Sequence, residues 1–251
     1  MFLRTVPIHH LATEAFFIAR HETTYGDWME YLRTRPAVER RIVAASGVLH
    51  GSVELTELPD GVWQLTFQPT SQTFVVREGQ DLVYPGRERN ATQDWWKLPV
   101  GGITFPEAEA YAAWLDATGR VPGARLCTDH EWERAARGAD DRLFPHGDSL
   151  EAGDANIDIT YPEGSSRGPD AVGSFAASRS PFGIDDMTGN VAEWTRSSLM
   201  DGEVLAQGGA YFFDSIQARS DNRGVIGPDA RGAVIGVRLC ASVRPGRKAL
   251  R

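Results

Sequence analysis

Cysteine and long apolar runs are scarce in this chain of 251 residues. Cys127 and Cys240 are its only cysteines and stand far apart in the sequence. Because two cysteines make neither a disulfide scaffold nor a four-thiolate zinc site, we expect two buried free thiols. No apolar stretch is long enough to cross a bilayer. The opening residues, Met1 to Thr5, lack the apolar core of a signal peptide, so we expect a cytoplasmic protein.

Lysine is also scarce. The net charge is −8, the sequence pI is about 5.3, and Lys97 and Lys248 are the only lysines. An acidic protein repels phosphate backbones and anionic lipid headgroups, so we expect neither a nucleic acid nor a membrane partner. Apolar residues make up 41% of the chain and charged residues 24%, which is enough for a folded core.

Helix signals occur at three places. Thr23 or Thr24 offers an N-cap for a helix carrying Trp28, Met29 and Leu32. Capping boxes at residues 104–107 and 128–131 predict two further helices, which end near Gly119 and Gly138.

Strand signals are concentrated in one early segment and near the end of the chain. Residues 16–19 predict a first strand. Pro59-Asp60-Gly61 between alternating apolar residues predicts a hairpin, and residues 73–76 and 81–84 extend this β-rich segment. It could be a small sheet of the main domain or an excursion from it. Residues 204–213 and 234–241 predict the closing strands, whereas residues 139–180 show little periodicity.

The stretch from Pro181 to Trp194 combines glycine corners with several side-chain oxygens. Asp185, Asp186, Asn190 and Glu193 lie within nine residues of one another. Such a loop suits Ca²⁺, which takes roughly 6–8 oxygen ligands. It equally suits a buried turn whose carboxylates cap backbone amides. A second oxygen-rich turn at residues 154–158 favours the metal interpretation.

Four blocks of this sequence resemble one family. They are Leu126 to Gly138 (LCTDHEWERAARG), Phe182 to Trp194 (FGIDDMTGNVAEW), Gly208 to Tyr211 (GGAY) and Gly236 to Leu239 (GVRL). In this order they are similar to the signature of the formylglycine-generating enzyme (sulfatase-modifying factor) family, a variant of the C-type lectin fold. Phrases such as residues 19–25 and 121–128 further resemble members attached to bacterial Ser/Thr kinases, although this chain has no kinase motif.

The resemblance implies an α+β fold with little regular secondary structure. It runs from about Thr13 to Ser242. We therefore expect a single FGE-sulfatase domain over residues 1–243, with a β-rich insert at about 33–93 outside the common pattern. Residues 244–251 then form a basic C-terminal tail.

The resemblance also implies two structural calcium sites. Residues that match the first site, or fall near it, are Asn156, Ile157, Glu163 and Ser165. Residues that match the second site are Asp186, Gly189, Val191 and Glu193.

The family's oxidase activity needs copper(I) held by two cysteines that follow the GGAY-like block. The first of those positions is Phe213 here, and residues 214–218 contain no cysteine. Copper(I) requires soft thiolate ligands, which Phe213 cannot supply, so we expect no copper.

Two functions follow from this comparison. The first is a non-catalytic, calcium-stabilised binding or sensory module for a protein or peptide, either partnered with a Ser/Thr kinase or diversified by a retroelement. Its expected ligand contacts are Tyr211, Phe212, Phe213, Asp214, Arg219, Asn222 and Arg223. The same aromatic residues could instead fill the core while the arginines are merely solvated. The alternative function is a formylglycine-generating-type oxidoreductase that acts on a cysteine-containing peptide through a divergent metal site.

Overall fold

Threonine side chains begin the three α-helices of the computed structural model, which describes residues 12–44, 51–161 and 163–243. The helices are α1 (Tyr25–Arg33), α2 (Phe105–Ala117) and α3 (Asp129–Arg137). Thr24, Thr104 and Thr128 each form a complete capping box, whereas the sequence predicted the boxes at Thr104 and Thr128 and only an N-cap at Thr23 or Thr24. Short 3₁₀ turns span Ala37–Glu39, Trp95–Lys97, Gly164–Ser166 and Ala176–Ser178.

Thirteen short strands lie in the described residues. They are β1 (Phe16–Ile18), β2 (Arg41–Ala44), β3 (Ser52–Glu57), β4 (Trp63–Gln68), β5 (Phe74–Arg77), β6 (Leu82–Val83), β7 (Thr92–Gln93), β8 (Ala124–Leu126), β9 (Ala192–Arg196), β10 (Val204–Gln207), β11 (Gly224–Val225), β12 (Ile235–Gly236) and β13 (Leu239–Ser242).

The strands form three sheets and one hairpin. The orders are β1-β13-β8, β11-β10-β9-β12 and β2-β3-β4-β5, with β6-β7 as the hairpin. All pairings are antiparallel except β12 with β9. The second sheet carries the end of the oxygen-rich stretch, because Glu193 lies on β9 opposite Gln207 of β10 and Gly236 of β12.

The closing strands are shorter than the sequence indicates. The strand predicted for residues 204–213 ends at Gln207, because Gly208 and Gly209 both adopt left-handed backbone angles. A Cβ atom on Gly209 would lie 2.7 Å from the Ala218 Cα, so only glycine fits this close approach. The strand predicted for residues 234–241 is likewise divided into β12 and β13.

The β-rich segment belongs to the main core and is not an excursion. Its inward-facing side chains, including Val53, Leu55 and Phe67, join the same buried cluster as Trp28 and Trp194. No helix of the described residues combines the length and apolarity needed to span a membrane. The tail predicted at residues 244–251 lies outside the described part of the chain.

The expectation of two free thiols is wrong. Cys127, directly after β8, and Cys240, on β13, form a disulfide that lies fully buried. The two strands pair antiparallel, and their register brings residues 113 positions apart in sequence side by side. Sequence spacing alone could not reveal this, because the pairing depends on a sheet formed by distant segments.

Candidate functional site

The two oxygen-rich turns meet in the structure. Asn156 pairs with Gly189 as an isolated bridge, and the Asn190 backbone N–H donates to the Asn156 carbonyl at 2.8 Å. Gly189 has φ +80°, and a Cβ there would lie 2.3 Å from that same carbonyl oxygen. Asp186 and Asn190 also adopt positive φ, at 55° and 63°. The stretch is therefore a tightly turned loop that only glycine, asparagine and aspartate readily follow.

Glu193 is held by an arginine. Its carboxylate accepts from Arg238 at 2.7 Å (Nη2 to Oε1) and at 3.0 Å from Nε, and from Trp132 Nε1 at 2.5 Å. The side chains of Glu193 and Arg238 are 1% and 0% exposed. Although burial opposes it, the charge of Glu193 raises the pKa of Arg238 above its usual value. This pair joins β9 to the segment before β13.

Two more buried carboxylates belong to the same cluster. Glu22 accepts from the Asn190 side chain at 2.8 Å and from the Val191 backbone N–H at 3.2 Å. Asp186 accepts from the Gly173 backbone N–H. Burial, reinforced by the neighbouring carboxylates, raises the pKa of Glu22 well above its usual value, and burial raises that of Asp186 to about 6. Three carboxyl groups thus share the single guanidinium of Arg238, so their ionised forms together would carry excess negative charge, and the raised pKa values of Glu22 and Asp186 reflect this repulsion.

The first predicted site is only partly assembled. Asn156 and Ile157 are buried together, but Glu163 is exposed and lies beside Gly86. Ser165 falls in the 3₁₀ turn Gly164–Ser166. The carboxylate that meets Asn156 is instead Asp170, whose Oδ2 accepts from Asn156 Nδ2 at 2.9 Å.

Asp170 is saturated by donors from the protein itself. Its Oδ1 accepts from Arg87 at 2.7 Å and from Gln93 at 2.9 Å, and its Oδ2 accepts from Tyr161 at 3.0 Å as well as from Asn156. Burial raises the pKa of Asp170 to about 6 although Arg87 opposes this rise, so the carboxylate is ionised at neutral pH.

The two sites differ in how well they fit calcium. No group of three or more His, Cys, Asp or Glu side chains in residues 12–44, 51–161 and 163–243 is arranged to hold a metal ion. At the first site one carboxylate faces one guanidinium, and no lone pair of Asp170 is left for a cation, so the residues do not fit. At the second site the excess negative charge suits a divalent cation, but the carboxylate oxygens are directed at N–H donors.

Four of the seven predicted ligand contacts are buried. Tyr211 and Phe213 belong to the main core, and Asn222 is 3% exposed. Arg223 donates to Asp129 at 3.0 Å and also to Glu133, so it joins its loop to α3.

The remaining three contacts reach the surface. Phe212 is half-buried with the Arg167 guanidinium 6.0 Å from its ring centroid, and Asp214 is exposed. Arg219 is half-buried and bonded to Asp221. Ile216, which sequence analysis missed, is 52% exposed beside them. Phe212, Asp214, Ile216 and Arg219 together are called the C-terminal loop surface below.

The position that would correspond to the first copper cysteine is filled and closed. Phe213 is 7% exposed, and its carbonyl accepts from the Asp158 backbone N–H at 3.1 Å. Both cysteines of the chain are bonded to each other elsewhere. The residues present therefore do not fit a copper(I) ion, since neither thiol is available as a ligand.

Sequence reasoning missed four residues that organise these sites. They are Glu22, Arg87, Asp170 and Arg238. Glu22 and Arg238 lie in sequence segments that already supported the family resemblance, so these motifs could have identified both residues. Arg87 stands in a loop without any motif, and only the fold brings it to Asp170.

Comparison with curated proteins gives relatives of different activity. The chain is 29% identical over 209 residues to a formylglycine-generating enzyme of Mycobacterium tuberculosis, covering 77% of this chain and 67% of the relative. It is 25% identical over 257 residues to inactive C-alpha-formylglycine-generating enzyme 2 of Bos taurus, covering 94% and 80%. It is 28% identical to serine/threonine-protein kinase pkn1 of Chlamydia caviae, of which it spans only 24%.

Structural comparison agrees on the fold. The structure of PvdO from Pseudomonas aeruginosa aligns with a TM-score of 0.60 at 22% identity, covering 91% of this chain and 80% of the other. The model of the sulfatase-modifying factor enzyme 1-like domain matches residues 3–243. The chain therefore belongs to the FGE-sulfatase family, whose domain it carries over nearly its whole length.

Proposed function

We propose that this protein is a non-catalytic binding module that recognises a protein or peptide through its C-terminal loop surface. The observation that carries the proposal is the loss of both copper ligands. Phe213 is buried at the first position, and Cys127 and Cys240 are joined in a disulfide. The inactive Bos taurus relative supports the proposal. Its name states that it lacks activity, and its similarity to this protein extends over 94% of this chain.

The composition of the C-terminal loop surface supports a polypeptide ligand. Phe212 and Ile216 present apolar area, while Asp214 and Arg219 offer an acceptor and donors beside it. Protein interfaces combine an apolar centre with a polar rim in this way. The similarity to pkn1 suggests a Ser/Thr kinase as the partner, although the chain spans only a quarter of that relative.

Calcium enters the proposal at the second site alone. Glu22, Asp186 and Glu193 are buried carboxylates with one arginine among them, and a divalent cation would offset the excess charge. Asp186 and Glu193 would be its side-chain ligands and Gly189 and Val191 its carbonyl ligands, as the family resemblance implies. Its contribution would be to hold the loop that precedes β9.

The deciding experiment is mass spectrometry of a Cys-x-Pro-x-Arg peptide incubated with the protein, copper(I) and O₂. We expect an unchanged peptide beside full conversion by the Mycobacterium tuberculosis relative, because no free thiol is available to bind copper. Conversion of the cysteine to formylglycine would overturn the non-catalytic assignment in favour of the oxidoreductase alternative.

A binding measurement tests the assigned surface. Peptides selected from a displayed library on the immobilised protein should lose at least about tenfold in affinity against Ile216→Ser, a loss of about 1.4 kcal/mol. They should bind Val83→Ser normally, because Val83 is similarly exposed but lies on β6, outside the C-terminal loop surface. Selected peptides whose affinity is unchanged by Ile216→Ser would show that they bind outside the C-terminal loop surface.

A further inference from the structure

We propose that the guanidinium of Arg87 replaces the calcium ion of the first family site. Arg87 is then a permanent structural cation, supplied by the segment 33–93 that the family pattern does not cover. This inference is independent of the proposed binding function.

The contacts of Arg87 are those that a structural cation would make. Its Nη1 donates to the Asp170 carboxylate at 2.7 Å, and its Nε and Nη2 donate to the carbonyls of Ser166 at 2.6 Å and Gly168 at 2.8 Å. Nη1 also reaches the Asn90 carbonyl at 3.3 Å. One carboxylate and several carbonyls around a positive charge are the oxygen ligands that calcium takes.

The guanidinium is fixed in place by aromatic rings. Its Cζ lies 3.6 Å from the ring centroid of Tyr84 and 3.8 Å from that of Tyr161, so the planar group is stacked between two faces. The side chains of Arg87 and Asp170 are both 0% exposed. A solvent-exposed arginine would gain little from this pairing, but a desolvated one, bonded through each of its three nitrogens, depends on these partners.

A calcium ion and Arg87 exclude each other at this position. The Asp170 carboxylate already accepts four hydrogen bonds, and a divalent charge next to a buried guanidinium would be strongly repelled. Glu163, the acidic residue expected there from the family resemblance, is exposed and directed at Gly86. No oxygen of Asp170 therefore remains free at the first site, whereas Asn156 Oδ1 and Asp158 Oδ1 are buried without a hydrogen-bond partner among the described residues.

The proposal also gives the segment 33–93 a role. Its last loop bonds to residues 163–170, and two further bonds accompany those of Arg87. The Tyr84 hydroxyl donates to the Pro169 carbonyl at 3.1 Å, and the Ser166 hydroxyl donates to the Pro85 carbonyl at 2.8 Å. The segment 33–93 thus holds residues 163–170 in place through hydrogen bonds.

Calcium counting tests the proposal on the unmodified protein. Native mass spectrometry in calcium should show at most one bound ion per chain. Two bound ions would overturn the proposal, since the first site would then be a metal site. A count of zero would contradict calcium at the second site but leave this inference intact.

Three variants separate the charge of Arg87 from its bulk. Arg87→Met keeps most of the side-chain volume but leaves the buried Asp170 carboxylate without its cation. We expect this variant to melt about 10 °C below the unmodified protein. Arg87→Lys keeps a positive charge and should fall less. Arg41→Ala removes an exposed arginine of β2, in the same segment, and should melt within about 2 °C of the unmodified protein.

The order of the variants decides the outcome. Arg87→Lys melting above Arg87→Met supports a cation at this position. If Arg87→Met melts at or above the temperature of Arg87→Lys, the site requires only side-chain volume and not positive charge. That result would overturn the proposal. If Arg87→Met does not fold, the calcium count still decides, because at most one bound ion supports the proposal and two bound ions overturn it.

Discussion

The ion pair of Arg238 and Glu193 would mask the loss of a calcium ligand in a Glu193 variant. The pair is fully buried, so Glu193→Ala would leave the guanidinium of Arg238 without its carboxylate. Breaking a buried pair by removing one partner costs about 3–5 kcal/mol of unfolding free energy. This loss occurs whether or not a cation is bound. Glu193→Ala is therefore a poor test of calcium, although Glu193 is the ligand that the sequence indicates most directly.

Asp186→Asn is the sharper test of calcium at the second site. Asp186 accepts from Gly173, and no arginine of the described residues bonds to its carboxylate, so its amide variant removes charge while every described arginine keeps its partner. We expect calcium to raise the melting temperature of the unmodified protein above its value in chelator, and to raise that of Asp186→Asn much less. The lost rise reflects a lost oxygen ligand of full charge.

The neighbouring Asp185 provides the matched control. Its carboxylate bonds to Arg20 at 2.9 Å and to Arg179, both of which extend into solvent. Asp185→Asn should keep the full calcium-dependent rise in melting temperature even if its absolute value drops. Equal rises for the unmodified protein and Asp186→Asn would refute the second-site assignment.

At the scale of elements, local signals predicted helices better than strands. Each helix begins where a threonine and an acidic residue three positions later cap each other, and that pattern is visible in sequence. The strand predicted for residues 204–213 was too long, because nothing in the local sequence shows that it ends before Gly208 and Gly209. Their left-handed angles end the strand, which only the packing against Ala218 explains.

The disulfide between β8 and β13 should stabilise the protein strongly. It closes a loop between residues 113 positions apart, and chain-entropy arguments assign about 4–5 kcal/mol to a loop of roughly 100 residues. We expect a reducing agent to lower the melting temperature by about 10 °C. The double variant Cys127→Ala/Cys240→Ala should melt at the reduced value and should not respond to the reductant.

Thiol counting checks the bond directly. The denatured but unreduced protein should take up no alkylating agent, and mass spectrometry should show two modified cysteines only after reduction. Two alkylated cysteines without reduction would contradict the disulfide and restore the original expectation of free thiols.

At the scale of the whole molecule, the sequence reveals what is contiguous and conceals what is distant. The oxygen-rich loop before β9 could be predicted because Asp186 to Glu193 are neighbours in the chain. The contacts of Arg87 with Asp170 and of Glu22 with Asn190 span 83 and 168 residues, and no periodicity or spacing encodes them. Burial of Tyr211 and Arg223 was equally hidden, since an aromatic and an arginine suit either a surface or a satisfied interior.

The β-rich segment and the rest of the domain should unfold as one cooperative unit. Val53 and Leu55 share the buried cluster of Trp194, and a Cβ on Gly102 would lie 3.1 Å from the side chains of Ile42 and Ala44. Segments that share one core open together, with the same free energy and the same denaturant dependence.

Hydrogen exchange in increasing denaturant measures this cooperativity. We expect amides of β3-β4 and of β9-β10 to converge on one opening free energy, because neither sheet can expose its buried face while the other stays closed. Amides of the exposed turn around Leu199 should exchange by local opening and serve as the internal reference. Exchange of β3-β4 at a clearly lower free energy would mean that residues 41–77 open alone. The segment would then be an attached module, although its apolar face is continuous with the core.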